Sequence, residues 1–247
     1  MTDTVTFRAL KRFNDPALAA YARERHRLGI LTNGLFDGTT ALDRLARALG
    51  DRRAISLKEF LESCEFYART RRRVREPQMA DLCCGHGLTG ILFALFEKRV
   101  ERVTLMDRSR PASHSAILEA ACTVGPWVEE KVTFVETDLA RAPALLEPGT
   151  SIVAVHACGT QTDACISTAI ATGGAIAAMP CCYFQTARDA PKAVRDTLGA
   201  ELSADIHRTY RLEAAGYAVD WSQIPAAITP MNRILVGWDP VARARGQ

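Results

Sequence analysis

Glycines and acids at three points along the chain have the types and spacing of a nucleotide site. The run Asp81-Leu-Cys-Cys-Gly85-His-Gly87-Leu-Thr-Gly90 follows one short apolar stretch and leads into another. Glycines there let the backbone turn sharply and approach a ligand closely, and a helix starting after them turns free N–H groups toward it. Gly85-x-Gly87-x-x-Gly90 also fits the dinucleotide fingerprint, a pattern that is weak when it stands alone. Asp107 lies 22 residues after Gly85, where a carboxylate can accept hydrogen bonds from both hydroxyls of a ribose. Asp138 closes a third apolar stretch, in Val132-Thr-Phe-Val-Glu-Thr-Asp138-Leu139. Any one of these acids is as readily a helix cap or a turn former. Three in order, each after an apolar stretch, point to a ligand, because open α/β sheets bind ligands at the C-terminal ends of their strands.

A second constellation has acid–base or soft-ligand chemistry. Val155-His156-Ala-Cys158-Gly159 ends a fourth apolar stretch, and Met179-Pro-Cys181-Cys182-Tyr183 ends a fifth. An imidazole titrates near neutrality, so His156 suits a general base. The thiols can hold a metal or engage a soft substrate, or they can be small buried residues where the chain is crowded. Cys83 and Cys84 fit that last description, whereas His156, Cys158, Cys181 and Tyr183 read as a substrate pocket with catalytic roles. No metal ligand set is assigned. Eight cysteines include no C-x-x-C, and the two pairs are adjacent residues. At His86, inside the glycine turn, the backbone matters more than the ring.

The elements that must position these residues follow from periodicity. Residues 15–76 read as helical, opening on Asp15-Pro16 and continuing through Leu18, Tyr21, Ala22 and Leu28. Turn signals follow at Thr32-Asn-Gly34 and Phe36-Asp-Gly38. Leu42, Leu45, Ala46 and Leu49 make an amphipathic stripe that stops at Gly50, and Ser56 with Glu59 forms a capping box that opens another helix. From Met79 onward short apolar runs alternate with helical stretches. Strands are expected over 79–84, 102–106, 132–136, 151–157, 175–179, 217–224 and 232–238. Helices are expected over 88–96, 113–122, 163–171, 188–198 and 203–215. This alternation predicts an α/β fold: a doubly wound, mostly parallel, seven-stranded Rossmann-like sheet. The last two strands have no helix between them, so the final one should run antiparallel. Residues 1–77 form a helical N-terminal segment that caps the substrate side, and 78–247 form the cofactor-binding domain.

Asp81 at the end of its strand, Asp107, Asp138 and the terminal strand pair together resemble class I S-adenosylmethionine-dependent methyltransferases. The segments His156-Ala-Cys158-Gly159…Thr162-Asp163, Cys181-Cys182-Tyr183 and Thr229-Pro-Met-Asn232-Arg233 resemble one group of these that includes tRNA 2′-O-methyltransferases. The resemblance spans residues 79–238 and leaves the N-terminal third unmatched, without the cysteine/histidine zinc module of the tRNA enzymes. It implies S-adenosylmethionine as cofactor, S-adenosylhomocysteine as product, and Asp81, Cys83, Gly85, Gly87, Asp107, Asp138, Leu139 and His156 as cofactor contacts. It also implies that strand 1 lies beside strand 4 and strand 4 beside strand 5, which gathers the cysteines and His156 near the methyl group.

Composition bounds the rest. The chain has 247 residues, is 48% hydrophobic and 24% charged, and carries a net charge of +3, values of an ordinary globular protein. No apolar run is long enough to span a membrane and the N-terminus lacks a secretory signal, so a cytoplasmic location with reduced thiols is expected. Residues 1–78 carry 16 Lys/Arg against 10 Asp/Glu, and Arg69, Arg71, Arg72, Arg73 and Arg75 cluster in one run. This run is either a phosphate-contacting stripe for RNA or a solvated helix face. Signatures such as G-x-S-x-G, H-E-x-x-H and Asn/Asp-Pro-Pro-Tyr/Phe are missing. The acceptor is expected to be RNA, with a small molecule as the alternative. Two further readings are a non-catalytic S-adenosylmethionine-binding protein and an NAD-dependent oxidoreductase.

Overall fold

The structure, a computed structural model, describes residues 5–183 and 189–241. Seven strands form one sheet: β1 (Gln78–Leu82), β2 (Arg102–Asp107), β3 (Val132–Glu136), β4 (Ser151–Val155), β5 (Ile176–Met179), β6 (Ala218–Gln223) and β7 (Arg233–Trp238). Their order is β3-β2-β1-β4-β5-β7-β6. The first five pair in parallel, and β7 runs antiparallel to both β5 and β6. The doubly wound sheet with its antiparallel last strand is therefore present, with β1 beside β4 and β4 beside β5 as expected.

Alternation along β1 shows how the sheet divides two cores. Met79 packs into an apolar cluster on one face, Ala80 and Leu82 into a second cluster on the other. The first is built from helices α1 (Ala41–Asp51), α2 (Leu57–Val74), α3 (Leu88–Phe96) and α4 (Ser113–Val124). Phe13, Phe36, Phe60 and Phe66 of the N-terminal segment share this cluster with Val103, Val153 and Val236 of the sheet. The family of helices before residue 77 and the sheet thus have one continuous core. The second cluster lies under α5 (Thr160–Thr172) and α6 (Lys192–Ala214).

Both capping boxes of the N-terminal segment form. Thr40 accepts from the Asp43 N–H at 3.1 Å, and Ser56 from the Glu59 N–H at 3.2 Å. Each acid side chain returns the contact to the cap residue. Two local expectations are corrected. Asp15 caps only a single turn, Pro16–Ala19, which tightens into a 3₁₀ turn at Ala20–Arg23. The chain beyond it is drawn out by pairing with the start of α2, with Leu28 N–H donating to Ile55 at 2.8 Å and Arg27 bridging Ser56. The turn signal at Thr32-Asn-Gly34 is one helical turn, Ile30–Asn33, held by Thr32 on the Gly29 N–H, and runs into a 3₁₀ turn at Gly34–Phe36. The two helices expected over 188–198 and 203–215 meet within α6 at Gly199, whose φ of +78° is non-helical; residue 188 lies outside the described residues. No helix among them is long and apolar enough to cross a membrane.

The run Arg69–Arg75 is engaged within the fold rather than presented as a stripe. The Arg69 side chain is buried, pairs with Glu65 and donates to Thr6 at 2.6 Å and to the Gln223 carbonyl. Arg71 and Arg75 pair with Glu97 at 2.7 and 3.1 Å. Arg73 pairs with Asp220 at 3.3 Å and lies over the Trp238 ring. Arg72 and Arg75 are exposed. Arg69 cannot serve as a phosphate contact, which corrects that expectation.

Candidate functional site

The C-terminal ends of β1, β2, β3 and β4 surround a cavity of about 460 Å³. Its size falls in the range of small-ligand sites. Cys83, Met106, Asp107, Arg108, Thr137, Asp138, Leu139, Ala140, His156, Thr160, Gln161 and Ala164 line it. Five of the residues expected from sequence are among them: Cys83, Asp107, Asp138, Leu139 and His156. Asp81, Gly85 and Gly87 are not part of the wall and act on the turn beside it.

Asp107 sits where β2 ends, one carboxylate oxygen accepting from the Gly85 N–H at 2.8 Å and the other from the Arg108 N–H at 2.7 Å. Each oxygen keeps a free lone pair, so the group can still accept from ligand hydroxyls. Asp138 accepts from the Ala140 N–H at 2.9 Å, capping a 3₁₀ turn while it faces the cavity. The cap reading of this residue is met, and the residue also stands in the cavity wall.

Asp81 is buried and accepts from the Gly90 N–H at 2.8 Å, anchoring the first turn of α3. A side chain at Gly90 would put its Cβ 3.0 Å from the Asp81 Cβ and 2.5 Å from Leu105, so only glycine lets α3 lie this close. Burial pushes the Asp81 carboxyl up to about 7, against the Gly90 hydrogen bond and with help from the Asp107 charge. Between about pH 4, the ordinary aspartate value, and pH 7 the folded chain binds a proton that the unfolded chain has released. Stability from this group is therefore present at low pH and falls as pH rises through that window. Asp81→Asn keeps an acceptor for Gly90 and carries no charge. Its thermal midpoint, relative to the parent, should rise from about pH 5 to pH 8, by the equivalent of on the order of 1–3 kcal/mol. Parallel midpoint curves for the two proteins would remove Asp81 as the titrating group.

Strands β1 and β4 are neighbours, and both end on a non-glycine residue with left-handed backbone: Cys83 with φ +55° and His156 with φ +60°. Such conformations cost of order 1–3 kcal/mol and gather at functional sites. His156 Nε2 lies 3.3 Å from Glu62 of α2, a contact with no signal in the local sequence, because Glu62 is one of three glutamates in that helix. Glu62 is almost fully buried and also accepts from Lys58 at 2.5 Å. Burial opposes its charge, but hydrogen bonds and charge from His156 and Lys58 outweigh it, so the carboxyl sits below its usual value. His156 Nδ1 is buried and has no partner among the described residues.

The remaining expected residues divide. Cys83 and Cys84 face opposite cores. The Cys165 thiol holds Cys83 below its ordinary value, whereas burial pushes Cys84 far up. Cys158 Sγ lies 3.2 Å from Cys181 Sγ, which lies 3.6 Å from Cys182 Sγ. Burial raises both Cys158 and Cys181; the neighbouring thiols add to the rise at Cys181, whereas at Cys158 the Cys181 contact works against it. Tyr183 is a correction: its hydroxyl is buried and donates to Asp205 at 3.0 Å, so it positions the loop after β5 and is not a free catalytic group. The His86 ring also does more than expected, because its Nδ1 accepts from the Leu88 N–H at 3.2 Å. Thr137, Thr160 and Gln161 were missed as wall residues, although each lies within a few residues of a strand end named above.

In known structures the chain resembles the fibrillarin pre-rRNA processing protein of Methanococcus jannaschii. The two are 18% identical over 67% of this chain and 68% of that one, with a TM-score of 0.42. It also resembles the precorrin-6y C5,15-methyltransferase of Geobacter metallireducens, at 16% identity over 71% and 86% of the two chains and a TM-score of 0.44. No curated protein sequence matches it. Residues 54–189 match a family described as a methyltransferase domain, a span that starts just before α2, takes in β1 to β5 and ends before α6. That is more than half of the chain, which therefore belongs to the methyltransferase-domain family: it is a class I methyltransferase whose methyl donor is S-adenosylmethionine.

Proposed function

We propose that the cavity holds S-adenosylmethionine with its ribose on Asp107 and its adenine beside Asp138 and Leu139, and that His156 is the general base for the acceptor. The wall fits such a ligand. A carboxylate with spare lone pairs faces the cavity beside the apolar Met106 and Leu139, and Gly85, with φ +53°, has open space where a side chain would be. The bound donor supplies an electrophilic methyl group on a sulfonium.

The observation that carries the reading is His156 in the cavity wall with its Nε2 on Glu62 and its buried Nδ1 without a partner among the described residues. With Nε2–H donating to Glu62, the lone pair of the neutral ring stands on Nδ1. An acceptor O–H, N–H or S–H that reached this nitrogen would give up its proton there, and the donor, when bound, would supply the methyl group with its sulfur leaving as the thioether. Glu62, kept ionised by Lys58 and His156, then stabilises the imidazolium. In-line positioning by the cavity wall supplies much of the remaining rate.

A small acceptor is favoured, because the arginine run is engaged with Glu65, Glu97 and Asp220. The second reading, an RNA acceptor, rests on the His-Ala-Cys-Gly and Cys-Cys-Tyr segments shared with the tRNA 2′-O-methyltransferase group. Arg72, Arg73 and Arg75 are its remaining phosphate contacts, and the helices before residue 77 its substrate cap. Calorimetry with S-adenosylmethionine, S-adenosylhomocysteine and NAD is expected to give micromolar binding of the first two and none of NAD; absence of the first two would overturn the placement of the ligand. RNA binding measured between 50 and 200 mM salt separates the acceptors. Specific contact with several phosphates must weaken steeply, by about tenfold or more for each three charges neutralised, whereas the small-acceptor reading expects no appreciable RNA binding at either salt.

A further inference from the structure

The three thiols after β4 and β5 are placed as a metal site. Cys158, Cys181 and Cys182 have Sγ atoms all within 4.8 Å of one another, with two of the separations 3.2 and 3.6 Å. Zinc with sulfur at 2.3 Å in tetrahedral geometry sets its sulfur atoms about 3.7 Å apart. The observed spacing is close to that figure and far from the 2.05 Å of a disulfide; all three are free thiols.

The framework holds them together independently of any sulfur contact. The His156 N–H donates to the Met179 carbonyl at 3.0 Å, and the Gly159 N–H to the Cys182 carbonyl at 3.1 Å, so backbone bonds clamp the two loops on either side of Cys158. Left-handed backbone at His156 and Gly159 brackets Cys158 and turns the chain twice within four residues. Cys158 is exposed and the other two are partly so, which leaves an entry path. Three thiolates are a soft donor set that selects zinc over hard cations. Cys158 also lies between His156 and Thr160, two residues of the cavity wall.

We propose that Cys158, Cys181 and Cys182 bind one zinc ion as thiolates, with a fourth coordination position left for water or a soft acceptor atom. Three protein ligands and one open position is the arrangement of catalytic rather than structural zinc. The site does not depend on where S-adenosylmethionine lies, and its test does not use methyl transfer.

The full chain, purified in reductant without chelator, is expected to carry about one zinc per molecule by elemental analysis. The reduced, metal-free chain titrated with cobalt should give the visible bands of a tetrahedral site and the near-ultraviolet sulfur-to-cobalt bands. Cys158→Ser, Cys181→Ser and Cys182→Ser should each lose most of the metal and these bands, while Cys122→Ser, remote from the cluster, keeps them. Zinc should also shield the three thiols of the unmutated chain, and not Cys122, from alkylation read by mass spectrometry, which covers the case of a serine variant that fails to fold. A chain that holds neither zinc nor cobalt when reduced, metal retained in all three serine variants, or equal alkylation with and without zinc would each overturn the proposal.

Discussion

Replacing Asp107 with alanine is expected to weaken S-adenosylmethionine binding by about 100-fold or more. A carboxylate that accepts from two ribose hydroxyls makes two charge-assisted bonds, each worth roughly 1.5–3 kcal/mol, and every 1.4 kcal/mol is about tenfold in affinity. The same substitution frees the Gly85 N–H, which Asp107 now holds at 2.8 Å, so the glycine turn loses its tie to β2. Asp107→Asn separates the two effects. It keeps an acceptor for one hydroxyl and removes the charge, and should fall between the parent and the alanine variant. Asp138→Ala should cost less, because its carboxylate is partly occupied with the Ala140 N–H and, in the proposed placement, meets the adenine rather than the ribose. Calorimetry on the three folded variants measures all of this. An Asp107→Ala chain with parental affinity would move the ribose elsewhere in the cavity.

What could be read in the sequence is what depends on local spacing. The strand ends carrying Asp107 and Asp138, the helix Leu88–Phe96 and the capping box at Ser56 all follow from neighbours a few residues apart, and each lies where periodicity puts it. The neighbours β1–β4 and β4–β5 followed from the family resemblance. The contacts that were hidden join residues far apart in sequence. Nothing near Glu62 announces that it meets His156, 94 positions later, because an acid in a helix is ordinarily a surface residue. The arginine run misled for the same reason. Its partners Glu97 and Asp220 lie on other elements, so the local charge excess looked uncompensated. Tyr183 was placed near the right strand end, but its hydroxyl direction depends on Asp205 in α6.

That last contact belongs to a buried network whose loss is expected to have the largest effect on stability. Arg208 is fully buried in α6. It donates to both oxygens of Asp163 at 3.0 and 2.9 Å and to Asp205 at 3.1 Å, and its guanidinium lies 5.5 Å from the centre of the Tyr183 ring. Asp205 also accepts from Tyr183 and from Arg233 of β7. One arginine thus ties the start of α5, the loop after β5 and the antiparallel end of the sheet. Arg208→Met fills much of the same space without the charge, leaving Asp163 with Arg211 at 4.0 Å and Asp205 with the Arg233 cation and the Tyr183 hydroxyl. Removing one member of a buried pair costs about 3–5 kcal/mol because the partner charge stays behind. The denaturation midpoint should drop by that amount with its slope unchanged. Adding Asp205→Asn to Arg208→Met should recover part of the loss, since it removes one of the abandoned charges, and the recovery measures the coupling. A loss below about 1 kcal/mol would put the network on the footing of exposed ion pairs. It would also leave the loop that carries Cys181 and Cys182 without the anchor assigned to it here.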